Sequence, residues 1–142
     1  MSKKRDIDFF IFDIYIAIIK IEIIWGEYKS IDEILYDFKA WDSIVREFEI
    51  IGEAANILIK NSILGEEYRV IVDFRNLVIH EYFGIEPEEV EDIIVNDLND
   101  FKKMIVSLIE SISLEKKNKL IQSFSQDNRY YPQIKQKIEE LK

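Results

Sequence analysis

The segment Phe74-Arg75-Asn76-Leu77-Val78-Ile79-His80-Glu81-Tyr82-Phe83-Gly84 carries the side chains best suited to chemistry in this chain, and His80 is its sole histidine. An imidazole titrates near neutral pH, so it can take a proton from a ribose 2′-hydroxyl. The guanidinium of Arg75 can hold a phosphate bidentately and stabilise charge developing on it. Asn76 can add a hydrogen bond to a base or phosphate, and Tyr82 can orient a phosphate or stack on a base. Such a set suits metal-independent cleavage of RNA, with the 2′-oxygen attacking the adjacent phosphorus. A histidine near a helix end also has a structural use, because its protonated form is favoured by the C-terminal dipole.

These residues must be positioned by a helix expected over Glu66 to Glu81, ended by Tyr82-Phe83-Gly84-Ile85 with Gly84 as a left-handed cap. Arg75 and Tyr82 lie seven residues apart, nearly two turns, and so project to a similar side. His80 stands about 140° around the axis from Arg75. The three share one cleft only if the helix end unwinds or a second helix or subunit completes the site.

Two carboxylates are candidates for a supporting role, Glu49 and Glu53. Glu53 sits in the apolar, small-residue stretch Ile50-Ile51-Gly52-Glu53-Ala54-Ala55. A partly buried carboxylate needs a partner, and Arg75 is the natural one. A plain core salt bridge fits that pairing as well as a part in the site does. The run Glu86, Glu88, Glu89, Glu91 and Asp92 follows Pro87 and reads as a solvated helix start matched to the dipole rather than as a magnesium site. No metal and no cofactor are expected, and no Gly-rich phosphate loop or Gly-x-Ser-x-Gly elbow occurs.

The surrounding elements read as helices. Ile7, Phe10, Ile11, Ile14, Ile18, Ile21 and Trp25 keep helical spacing through a run too long for a strand. Ser30 and Glu33 form a capping box for a short helix to about Asp37. A long helix is expected from about Ala40 to Lys60, where Gly52, Ala54 and Ala55 let a neighbour approach closely. Another is expected from about Leu98 to Ser113. Beyond it the chain turns polar, with amphipathic pieces near 114–125 and 132–141. Residues 1–113 are expected to form the main helical domain, and 114–142 an appended helical tail.

Only 4 Gly and 2 Pro occur among 142 residues, too few for a hairpin-rich sheet fold. The expectation is all-α: an antiparallel bundle of about four to five helices with the tail added. The lack of cysteine excludes disulfides, a thiolate zinc site and a cysteine nucleophile. Asp6, Asp8, Asp13, Lys20 and Glu22 interrupt the N-terminal apolar stretch, so neither a signal peptide nor a membrane span is expected, and a cytoplasmic location is. A net charge of −9 argues against diffuse binding to nucleic acid, so any RNA contact must come from few residues or from an assembled oligomer.

Arg75-Asn76-Leu77-Val78-Ile79-His80-Glu81-Tyr82 resembles the Arg-x4-His-x-Tyr motif of HepT-like proteins, a branch of the HEPN superfamily. Val45 to Ala55, ending Ile50-Ile51-Gly52-Glu53-Ala54-Ala55, is similar to a second family motif, and Tyr82-Phe83-Gly84-Ile85 resembles the family's continuation after the histidine. The resemblance covers residues 6 to 113. It implies a HEPN-type helical bundle, a homodimer whose paired motifs face a shared cleft, and metal-independent ribonuclease activity. It implies that Arg75 and His80 carry catalysis, with Asn76 the polar residue that often follows the arginine. It further implies a toxin whose partner is an MntA-like nucleotidyltransferase antitoxin, which adenylylates Tyr82. AMP there would set a negative phosphate and a bulky base beside Arg75, in competition with RNA. Two alternatives remain: a non-catalytic regulatory or binding subunit of a nucleotidyltransferase complex, and a purely structural helical dimer with His80 as a capping residue.

Overall fold

The computed structural model describes residues 6–80 and 84–142. Helix α1 (Ile7–Glu27) starts where the Asp6 carboxylate accepts the Asp8 N–H at 3.0 Å. Ile14 to Ile19 are buried on every side of it. A helix apolar all round must be covered all round. That makes α1 the centre of the molecule, with α3 (Phe38–Lys60), α6 (Leu98–Glu110), α7 (Leu114–Asp127) and α8 (Pro132–Glu139) packed against it.

Between α1 and α3, the short α2 (Ile31–Leu35) begins with half of the expected capping box. Ser30 Oγ accepts the Glu33 N–H at 3.3 Å, while the Glu33 carboxylate accepts the Lys29 N–H at 2.9 Å rather than that of Ser30. Helix α3 starts two residues earlier than expected, because Asp37 caps it through the Lys39 N–H at 3.1 Å. The Tyr28 hydroxyl donates to the same Asp37 carboxylate and ties the end of α1 to the start of α3.

A 3-10 turn (Glu66–Tyr68) precedes α4 (Arg69–His80), so the helix expected from Glu66 begins as a tighter coil. The expected stop at Tyr82-Phe83-Gly84 falls largely on residues 81–83, outside the described residues. Helix α5 (Pro87–Asp92) has Pro87 in its first turn and Glu88 and Glu89 behind it. It does not end in a loop. A π-helical turn (Ile93–Asp97) joins it to α6, so one helical rod runs from Pro87 to Glu110 where a separate helix from Leu98 was expected.

Both tail pieces fold as helices. Phe124 of α7 stacks on Phe12 with ring centroids 5.2 Å apart and meets Phe9 edge-on at 5.8 Å. Lys116 pairs with Asp6 at 2.9 Å and Asp8 at 2.6 Å, and the Tyr15 hydroxyl donates to the Lys137 carbonyl at 3.3 Å. Leu120, Ile121, Ile134 and Ile138 thereby join the same hydrophobic cluster as α1 and α3. The described residues include no strand, and none of their helices is long and apolar enough to cross a membrane.

Candidate active site

Helix α4 is held against α3 by a buried stripe: Ile71, Val72, Phe74 and Val78. Phe74 meets Phe48 edge-on at 5.0 Å, and Arg69 fastens the start of the helix through Glu66 (3.1 Å) and the Asn56 side-chain oxygen (3.1 Å). The closest approach falls at Gly52. A Cβ placed there would lie 3.4 Å from Arg75 Cα and would overlap the Arg75 Cβ and Cγ. The small-residue patch on α3 therefore serves to seat the base of the Arg75 side chain.

Arg75 is half-buried. Its Nη1 donates to Asn76 Oδ1 at 2.9 Å, and its Nε is buried with no hydrogen-bond partner among the described residues. A buried guanidinium N–H without a partner is costly and is the kind of donor an anionic ligand can satisfy. Asn76 is exposed beside it and His80, the last residue of α4, is exposed. The helix stays regular through His80. Five residues of α-helix set His80 about 140° around the axis and about 7.5 Å along it from Arg75. Within one chain, α4 therefore presents Arg75 with Asn76 and turns His80 to another side. Tyr82 lies outside the described residues.

The expectation for Glu53 does not hold. It is exposed and makes no ion pair with Arg75 among the described residues. The face of α3 that meets its neighbours runs through Ile51, Gly52, Ala54, Ala55 and Leu58, which leaves Glu53 on the outside. Glu49 is half-exposed. The buried carboxylate of α3 is instead Glu47, 8% exposed, which the sequence reading passed over. Burial pushes its carboxyl above the usual range, against the opposing influence of Lys20 and Arg46. Its position three residues after buried Ile44 and four before buried Ile51 was the available signal.

On its other flank α4 borders a groove of about 450 Å³, where Val70, Asp73 and Leu77 face Glu89, Asp92 and Asp97. Burial, with Asp92 and Asp100 adding to it, raises the Asp97 carboxyl above its ordinary value. Four carboxylates, Asp73, Glu89, Asp92 and Asp97, line this groove, so it disfavours an anion. No group of three or more His, Asp or Glu among the described residues is gathered closely enough to hold a metal ion.

Comparison with known proteins shows the family. The model of the family described as "Ribonuclease HepT-like" matches residues 14–108, which include two thirds of α1 and all of α3 and α4. The chain is 31% identical over 120 residues to "Putative RNase MJ0127" of Methanocaldococcus jannaschii, covering 82% of this chain and 98% of that protein. It is 27% identical over 110 residues to "Putative RNase MJ1380" of the same organism, covering 72% of this chain and 95% of the relative. A further similarity, 31% over 85 residues, spans 55% of this chain and 36% of "Gamma-glutamylcyclotransferase and putative RNase MJ0434". No solved structure matches the chain. With two thirds of its length matched by the family and a full-length relative above 30% identity, the chain belongs to the HepT-like ribonuclease family.

Proposed function

We propose that this protein is the ribonuclease toxin of a toxin–antitoxin pair, acting on RNA in the cytoplasm without a metal ion. The observation that carries the reading is Arg75, whose first side-chain carbons sit on Gly52 and whose guanidinium donates to Asn76, with a buried Nε unpartnered among the described residues. Arg75 binds the scissile phosphate and stabilises its developing negative charge. His80 accepts the proton of the ribose 2′-hydroxyl, and the 2′-oxygen bonds to phosphorus. The bond to the 5′-oxygen breaks and that oxygen takes up a proton. The products are a 2′,3′-cyclic phosphate and a 5′-hydroxyl end. Asn76 orients the phosphate and fixes the angle of the guanidinium.

The separation of Arg75 and His80 around α4 supports a homodimer in which the Arg75 of one chain works with the His80 of the other. Tyr82 is the control point. An MntA-like nucleotidyltransferase attaches AMP to its phenolic oxygen, with pyrophosphate leaving from ATP, and the added phosphate occupies Arg75. Neither Glu49 nor Glu53 is needed in this scheme.

The test is expression in bacteria of the wild-type chain and of His80→Ala, with RNA incubated with each purified protein in a metal chelator. Growth arrest and cyclic-phosphate ends produced by the wild type alone support the reading. Equal harmlessness and intact RNA in both would sink it. The acidic groove along α4 favours one second reading, a non-catalytic subunit that binds a nucleotidyltransferase through a basic surface. That reading requires a complex that survives both Arg75→Ala and His80→Ala, with no RNA cleavage.

A further inference from the structure

The tail builds a second site, on the side of α3 facing α1. Glu47 is 8% exposed and makes no hydrogen bond or ion pair among the described residues. Glu47 lines two cavities, of about 450 Å³ and about 380 Å³, which also share Lys20 and Tyr131. The larger is walled by Ile23 and Ile24 of α1 and by Tyr130 and Ile134 of the tail. Its volume lies in the range of small-molecule sites, and its lining has their character: apolar walls with a few polar groups. Tyr130 and Tyr131 are 71% and 54% exposed at the mouth of the larger cavity. Lys20 Nζ stands 6.0 Å from the Tyr131 ring centroid, and Arg129 lies over the Tyr130 ring at 4.5 Å.

We propose that this pocket binds a guanine base carrying a phosphate, with Glu47 reading the base. An ionised carboxylate only accepts hydrogen bonds, and it accepts them in parallel pairs. Among the four RNA bases guanine alone offers two adjacent donors, N1–H and N2–H, on one edge. Adenine and cytosine each pair a donor with an acceptor there, and uracil flanks its single donor with acceptors. A guanidinium or an amine would also satisfy Glu47. Lys20 and Arg46 lie within electrostatic reach of that carboxylate, and they disfavour a cation against a neutral base. The same Lys20 attracts a phosphate into the larger cavity, since Asp13 and Asp127 line only the smaller one. The tyrosines supply faces on which a planar base stacks. The guanine can come from a free nucleotide or from an unpaired position in an RNA strand, and only the second source rests on the ribonuclease reading above.

The test measures binding, not cleavage, so it stands apart from the fate of the ribonuclease proposal. The full chain is titrated with GMP, AMP, CMP and UMP, following tyrosine fluorescence and heat. It is then titrated with 2′-O-methylated hexanucleotides, which resist 2′-oxygen attack, containing one guanosine or none. The expectation is saturable binding of GMP at least tenfold tighter than AMP, weakened tenfold or more in Glu47→Gln and in Tyr131→Ala. Lys20→Ala weakens GMP but leaves guanosine unchanged. Tighter binding of GMP than of the guanosine hexamer identifies a free nucleotide as the ligand, and the reverse order identifies an RNA strand. Equal affinity for GMP and AMP, no saturable binding of GMP, or an unchanged GMP affinity in Glu47→Gln overturns the proposal. Both Glu47→Gln and Tyr131→Ala are checked by circular dichroism, and GMP selectivity in the wild type is read whether or not either variant folds.

Discussion

Gly52 of α3 lies directly beneath Arg75 of α4, so close that any side chain at position 52 would occupy the space of the Arg75 Cβ and Cγ. The nearest obstruction is the Arg75 Cβ, which is fixed by the helix backbone and cannot swing aside. Gly52→Ala therefore has to push α4 away from α3. Overpacking of this kind costs about 1–3 kcal/mol. The expected outcome is a modest fall in melting temperature together with a loss of RNA cleavage larger than the stability change explains, because the guanidinium is displaced. Cleavage at the wild-type rate in a folded Gly52→Ala protein would show that the seat of Arg75 does not matter.

Glu47 gives a pH-dependent prediction. Burial holds its carboxyl above the usual range, so the folded chain binds that proton more tightly than the unfolded chain does. Below the unfolded value of about 4.3 both states are protonated and ionisation costs nothing. As pH rises from there through the raised folded value, the cost of a buried charge accumulates, and above it the cost is complete. Glu47→Gln removes this titration. Its melting temperature should match the wild type near pH 4 and exceed it at pH 7, each kcal/mol regained appearing as roughly 2–4 °C. A variant less stable than the wild type at pH 7 would mean that Glu47 is paired in the folded protein.

The contrast between Glu47 and Glu53 shows how far the sequence could be read. Both are glutamates on α3 among apolar neighbours, and composition alone favoured Glu53, flanked by Gly52 and Ala54. Which one is buried depends on the angle at which α1 and the tail meet α3, a tertiary fact. The small-residue patch and the cap at Ser30 were legible because each is local chemistry. The continuity of the rod from Pro87 to Glu110 was not. A π-helical turn inserts an extra residue, so the buried positions shift from the Val90, Ile93, Ile94 register to the Leu98, Phe101, Ile105 register, and the pattern looks like two helices. For the candidate site, the sequence offered Arg75 and His80, and helical spacing gave an angular separation that the regular α4 keeps. A partner that would bring them together leaves no mark in one chain's periodicity.

The tail contributes to the core as well as to the second pocket. Phe124 is 8% exposed and covers Phe12, which is fully buried. Phe124→Ala should cost about 3–5 kcal/mol, the usual range for a buried phenylalanine. Removal of residues 114–142 uncovers Phe9, Phe12 and Tyr15 together and should leave a protein that aggregates or binds a hydrophobic dye. Both are measured by thermal denaturation and light scattering. A truncated chain as stable and as monodisperse as the full one would show that α7 and α8 are independent of the bundle.

The last prediction concerns which chains build the cleavage site. Arg75→Ala and His80→Ala each remove one half of the proposed pair, so each homodimer is inactive. When the two variants are unfolded together and refolded as a mixture, half of the dimers carry one chain of each kind. If Arg75 of one chain works with His80 of the other, every mixed dimer retains one site with both groups intact, and the mixture should recover about one quarter of the wild-type rate. If the pair acts within a single chain, no site in the mixture holds both groups and no activity returns. The rate of appearance of 2′,3′-cyclic phosphate ends, in chelator and at equal total protein, decides between them. The regular geometry of α4 through His80, which turns the two side chains about 140° apart, favours recovery.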